Sequence, residues 1–552
     1  MIALADWTYL LYDIRVGMEP TSSASIKTPA RPSVEAIALH RMGFGPRPRD
    51  VERVQRLGFE KYVQEQLRPT DADSDLCEAK LRDARFPIEY EHKGKKVKED
   101  RPLRTLTATR DDLWKMIRQW DDFHYEERVR PAREVVVATV IRAVYSRWQL
   151  REVLVDFWHN HFNVNVGVDD EKCRILWPIY DRDVIRRHCF GNFREFLGAT
   201  SKSVPMLTYL NNFRSKASPA NENFARELFE LHTLGQDAYL NHLYSKWREV
   251  PGATEGKPSG YIDQDVYEAA RAFTGWTVAD GEWSGRGEER LPHTGEFHTH
   301  EGWHDPYQKR ILGVEFDPGQ GALKDGERVL DLVAYHPATA RHICRKLVRR
   351  LVSDDPPEDL VRRAARVWEA HAKNPDQIRE VVATILLSAE FKQTWGRKVK
   401  RPLEAVAAFL RATEADVTVN WSLMWQMEIL GQRLFQWPTP TGHPDTSDFW
   451  LSTNGWLHRW NLPGGLAWEG NHVAKIPEFE IPANVKTWDA LVPVMSVRML
   501  GYRLPDASER ILATMLGDGD PRRAIPDDAN VRREKARTCQ LVIAMTPEFH
   551  AR

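Results

Sequence analysis

What this 552-residue sequence has little of already narrows its reading. Cysteine occurs five times, at Cys77, Cys173, Cys189, Cys344 and Cys539, with no CxxC pair. So sparse and scattered a set excludes a disulfide framework and a zinc ribbon, and it predicts five free thiols. No stretch approaches the roughly 20 apolar residues that span a bilayer. Charge of one sign is missing too. Lys plus Arg number 78 against 79 Asp plus Glu, which removes the electrostatic footprint of a general nucleic-acid binder. GxSxG, the P-loop, GxGxxG and HExxH are absent, and with them the direct readings as serine hydrolase, NTPase, dinucleotide enzyme or zincin. Nothing repeats at a fixed period. The opening residues do not read as a secretory leader, because Asp6 and Asp13 interrupt the apolar run and the first Arg comes only at position 15. As written the chain is expected to be cytoplasmic; a different true start would allow the periplasm or cell surface.

There is ample material for a core. Hydrophobic residues make up 42% and charged residues 28% of the chain, which excludes disorder as its main state. Trp is abundant, 20 residues beside 21 Phe and 15 Tyr. Its broad amphipathic face suits sugar rings or protein partners, and core filling is the competing explanation. Helical periodicity recurs while strict alternation is scarce, so the expected fold is mainly α, a large multi-helix domain with long Gly/Trp-rich loops and little sheet. The Ser/Thr/Pro-rich residues 17–33 make 1–33 a flexible lead-in. A helical domain covers 34–465, and a helical extension, 466–552, packs on it. The charged segment around Lys93, Lys95, Lys96 and Lys98 reads as a solvated loop. Residues 246–260 and 279–300 read as long loops of the kind that form lids or binding loops.

Three segments carry residues suited to chemistry. In NENFARELFELHTLG, from Asn221, helical spacing places Asn223, Glu227 and Glu230 on one stripe, beside the apolar Phe224, Leu228 and Leu231. Paired carboxylates there can bind a metal or divide acid and base roles. A solvated face with Glu222 beside Arg226 accounts for the same pattern. In Phe157-Trp158-His159-Asn160-His161-Phe162 an extended backbone would turn both imidazoles to one side as metal ligands, whereas a continuing helix would turn them nearly opposite ways. His304-Asp305 follows His293, His298 and His300, the most His-dense part of the chain, and can act as ligands or as a base with a charged partner.

These segments, together with LHRMGFGP from Leu39, DQDVYEAARAFTGW from Asp263, WHDPYQKRILG from Trp303, HPATARHICRKLVRRLVSDDPP from His336, KRPLE from Lys400 and GQRLFQWPTPTGHPDTSDFW from Gly431, resemble the bacterial "domain of unknown function 1800" family. The resemblance implies a shared polar site. In it Glu227, Glu230, His304 and Asp305 would be catalytic, and His159 and His161 would hold a divalent metal. Trp158, Asn160, Asn223, Arg226 and Trp276 would contact substrate. Genes of such proteins often neighbour a sulfatase-like family, domain of unknown function 1501, which implies a partner protein in a paired envelope system. Two functions remain open at this point: a hydrolase or lyase acting on a glycan-type substrate, or a non-catalytic assembly or carrier protein for the sulfatase-like partner.

Overall fold

The computed structural model describes residues 31–167, 170–285 and 290–552. The expected lead-in lies almost wholly outside the described residues. Helix accounts for 57% of the chain, and the strands form short two-stranded antiparallel ladders among the described residues. The mainly α expectation holds.

The elements that position the site are few. α1 (Val34–Arg41) begins where the Ser33 hydroxyl accepts from the Ala36 amide, a conventional N-cap. β1 (Arg85–His92) pairs with β2 (Lys95–Pro102). α2 (Gln149–His161) carries the two motif histidines. α3 (Asn223–Glu227) continues into a π turn over Leu228–His232. α4 (Asp263–Ala272) leads into β3 (Trp276–Asp280), paired with β4 (His293–Thr299). Then come α5 (Ala322–Ala334), α6 (Pro337–Leu351), α7 (Pro402–Ala412), α8 (Trp421–Ile429) and α9 (Thr453–Ala467).

Two expected loops are partly strand. The lysine cluster belongs to the β1–β2 hairpin, whose turn is Lys93-Gly94, both with positive φ. Alternation explains it: Phe86 and Ile88 are buried while Glu89 and Glu91 stay at the surface. Similarly, 279–300 supplies β4 to the β3 ladder.

Among the described residues a small cluster of Val250, Ala253 and Ile262 stands apart, and the main hydrophobic core draws on positions from Ile37 to Phe549. Trp114, Trp158, Trp177, Trp276 and Trp368 are buried within it, so much of the Trp content is core filling. All five cysteines are free and buried.

Threaded through this core is a network of buried charges. Glu404 on α7 receives Arg350 of α6 at 2.6 Å, Arg401 at 3.6 Å and the guanidinium of Arg552. Asp156 on α2 receives Arg350 at 3.2 Å and also Arg401. Arg552 donates to the Arg41 carbonyl of α1 at 2.7 Å, and Arg41 donates to the backbone at the end of α6. The network thus fastens four helices and the last residues of the chain to one another. Burial alone would raise the Glu404 pKa, but Arg350, Arg552 and Arg401 hold it well below the ordinary range.

A depressed carboxylate pKa contributes stability above the unfolded-state value, about 4.3, and loses it as pH falls toward the folded value. Glu404→Gln should therefore destabilise by about 3–5 kcal/mol near neutrality, because it strands buried guanidinium groups. Denaturant titrations of both proteins from pH 7 to pH 3 should show the gap narrowing in acid.

Candidate functional site

α2 remains helical through His161, so His159 and His161 leave the helix on different sides. Each meets a residue carried by a π turn. His159 pairs through Nε2 with Asp181 Oδ1 at 2.9 Å, and Asp181 lies in the π segment Tyr180–Arg186. Burial opposes ionisation of Asp181, yet Arg186, His159 and Arg142 hold its carboxyl well below the usual range. The recess beside His159, lined also by Glu152, Asp156, Arg186 and Phe435, offers about 10 Å³, room for about one water. His159 is thus hydrogen-bonded to a carboxylate that also pairs with Arg186. It does not share a ligand with His161, and the expected metal pair is not brought together. Among the described residues no three His, Cys, Asp or Glu side chains are placed to hold one metal ion.

His161 faces the opposite π turn. Its Nε2–H donates to the His232 carbonyl at 3.2 Å, and its ring lies 6.1 Å from that of His232 and 6.4 Å from that of His342 on α6. His342 in turn donates from Nε2 to the Leu231 carbonyl at 3.2 Å. Gly235, at φ +86°, lets this ring come close, since a Cβ there would sit 2.4 Å from His342 Nδ1. One turn further along α6 stands Lys346, which acts electrostatically on all three rings. Burial, then Lys346, pushes each imidazole far down, to about 3 for His232 and His342, so all three are neutral at pH 7. Lys346 itself keeps part of its surface in water. Burial nevertheless lowers it to about 8, with Asp445 opposing the shift and Arg349 adding to it.

The expected carboxylates border this region on the same helical run. Glu227 and Glu230 are half-buried and make no hydrogen bond or ion pair among the described residues. Burial, then its neighbour Glu230, raises the Glu227 pKa, with Arg226 opposing. Tyr209 is pushed up to about 12 by burial and then by Glu227, and it donates to the Pro438 carbonyl at 3.1 Å. The buried Tyr261 hydroxyl has no partner among the described residues; burial and Glu230 raise its pKa. Two carboxylates uncommitted to any cation, Glu227 acting on Tyr209 and Glu230 on Tyr261, form an acid–base pair.

Other expected site residues find structural partners. Asn223 donates to the Leu210 carbonyl at 3.3 Å, and Arg226 joins Glu222 and Asp263, both at 3.3 Å. Asn160 accepts from the His443 amide at 3.1 Å and donates to the Asp156 carbonyl at 2.7 Å. Trp158 and Trp276 are wholly buried, donating to the carbonyls of Cys189 and Ala322, so neither presents a face to a ligand. Among the described residues no hydrogen bond or ion pair joins His304 or Asp305 to Glu227 or Glu230. Asp305 is held by Arg271 at 2.8 and 3.0 Å, and His304 lies between the Thr274 carbonyl at 2.9 Å and Asp325 at 3.3 Å. Asp325 also receives Lys309 at 2.8 Å. That arrangement ties β5 (Lys309–Ile311) to α4 and α5 and leaves no atom of Asp305 uncommitted.

The family model described as Protein of unknown function (DUF1800) matches residues 37–551. The chain belongs to this family. Comparison with curated proteins returned no match, and neither did comparison with solved structures. The DUF1800 match includes the segment after 465, so the C-terminal helices are part of the family's sequence. It also spans His232, His342 and Lys346, which are not among the candidate residues named from the sequence. Their signal was present: His342, Lys346 and Arg350 recur at four-residue spacing within the HPATARHICRKLVRR motif.

Proposed function

We propose that this DUF1800 protein is a hydrolase or lyase acting on a glycan-type substrate, with Glu227 and Glu230 as its acid–base pair. The observation that carries this reading is the uncommitted, half-buried carboxylate pair. The wholly buried carboxylates Glu404 and Asp181 are matched by guanidinium groups, whereas the part-buried Glu227 and Glu230 form no ion pair among the described residues. The raised Glu227 retains its proton further toward neutrality and is suited to protonate a leaving oxygen. Glu230 then acts as the base, as in two-carboxylate glycoside chemistry.

A second reading, assembly or carriage of a sulfatase-like partner, is favoured by one surface. α8 and α9 pack together and leave Trp421, Trp425, Leu457 and Trp460 exposed, Trp425 by 56% and Trp460 by 45%. α8 carries a single charged residue, Glu428. An aromatic, nearly uncharged face has the composition of the centre of a protein interface.

The two readings separate experimentally. Glu227→Gln and Glu230→Gln should each lower turnover on a glycan panel by about 10²–10⁴-fold while changing stability by less than about 0.5 kcal/mol. Wild-type protein inert on the panel, with both variants strongly destabilised, would overturn the catalytic reading. The assembly reading predicts instead that Trp425→Ser with Trp460→Ser abolishes co-purification of the partner at an unchanged melting temperature.

A further inference from the structure

Residues 240–260 form a unit apart from the main core. Their ends meet at a neck, where Tyr239 and Tyr261 pair as a parallel bridge. There the Leu240 amide donates to the Tyr261 carbonyl at 2.8 Å and the Tyr261 amide donates to the Ala238 carbonyl at 3.0 Å. The two phenol rings stack with centroids 5.2 Å apart. Between the ends the chain closes on itself in short 3₁₀ turns. The amides of Lys246, Val250, Ala253, Lys257 and Ser259 all donate to carbonyls of the same segment. Val250 and Ala253 pack with Leu240, Leu243 and Trp247 around Ile262, making the small apolar cluster that stands apart.

Little fastens this unit to its surroundings. Among the described residues two hydrogen bonds leave it between its ends. The Gln264 amide of α4 donates to the Tyr244 carbonyl at 3.4 Å, and His336, at the start of α6, donates from Nε2 to the Pro258 carbonyl at 2.8 Å. Tyr244 makes the first of these with φ +48°, a conformation that non-glycine residues hold at a cost. Trp247 adds a contact, its ring 4.1 Å from the Arg310 guanidinium of β5. A segment with few apolar contacts and few bonds outward opens at lower free energy than the core to which it is attached. What it covers is the start of α4, where Ile262 is wholly buried. At the neck, the buried Tyr261 hydroxyl has no partner among the described residues, a strain that water relieves.

We propose that residues 240–260 are a lid that swings open as one body on the Tyr239–Tyr261 neck, uncovering Ile262 and the start of α4 and admitting water to the Tyr261 hydroxyl. Glu230 acts on that hydroxyl, so the lid's hinge adjoins the carboxylate pair. The inference goes beyond the acid–base reading and does not require it.

Native-state hydrogen exchange on the full chain, read by mass spectrometry, tests this. Peptides covering 241–259 should exchange about 100-fold faster than those covering α4 and α6. They should also share one dependence on denaturant, as a body that opens all at once does. Gly260→Ala sets a Cβ 2.1 Å from the Ala238 carbonyl oxygen and so forces the neck apart. Protection over 241–259 should then vanish while α4 and α6 keep theirs. Trp247→Ala removes the ring held by Arg310 and should speed exchange over 241–259 about tenfold. Protection equal to that of α4, denaturant-independent exchange of the kind local fraying gives, or a loss in Gly260→Ala that spreads through α4 and α6 would each overturn the proposal. The wild-type pattern decides even if a variant folds poorly. A protein inert on every glycan but exchanging as stated would end the acid–base reading and leave the lid standing.

Discussion

The rest of the structure depends on the buried charge network centred on Glu404 and Asp156. Its members come from segments far apart in sequence: Arg41 near the start, Asp156, Arg350, Arg401 and Arg552 at the end. Desolvating so many charges is costly, and only their mutual pairing offsets it. Such a network is satisfied in one arrangement of the helices and not in others. It fixes how α1, α2, α6 and α7 meet, which apolar packing alone specifies less sharply.

That constraint reaches the histidine cluster through two helices. On α2, Asp156 is in the network, His159 is bound to Asp181 and His161 is bound to the His232 carbonyl. On α6, Arg350 is in the network while Lys346 and His342, four and eight residues before it, lie near His161. Each helix is pinned at one point by ion pairs and presents its uncommitted groups nearby. The π turn at Leu228–His232 packs on both, and it widens the helix that carries Glu230 and His232, a departure from regular helix that recurs at functional sites.

How much of this is legible in the sequence varies by element. Helical periodicity finds α2, α4, α6 and α7, because their apolar stripes face one core. The β1–β2 hairpin is hidden by its charge: Phe86 and Ile88 alternate correctly, but lysines and acids surround them. For HNH, spacing alone cannot choose between strand and helix, and the metal pairing of His159 with His161 follows only from the strand. The carboxylate stripe is visible because both residues lie within two turns. His342 and Lys346 share a stripe too, yet a basic stripe usually faces water, and the residues that enclose this one lie more than 100 positions away. π turns leave no periodic mark of their own.

The central claim is that α6, held by Arg350, keeps Lys346 desolvated, unpaired and still reachable from water. Reductive methylation with ¹³C-formaldehyde labels accessible lysines, and Lys346→Arg assigns the resonance by its loss. The account predicts that Lys346 is labelled and titrates near 8. A Lys346 resonance titrating at about 10.4, like an ordinary surface lysine, would contradict it.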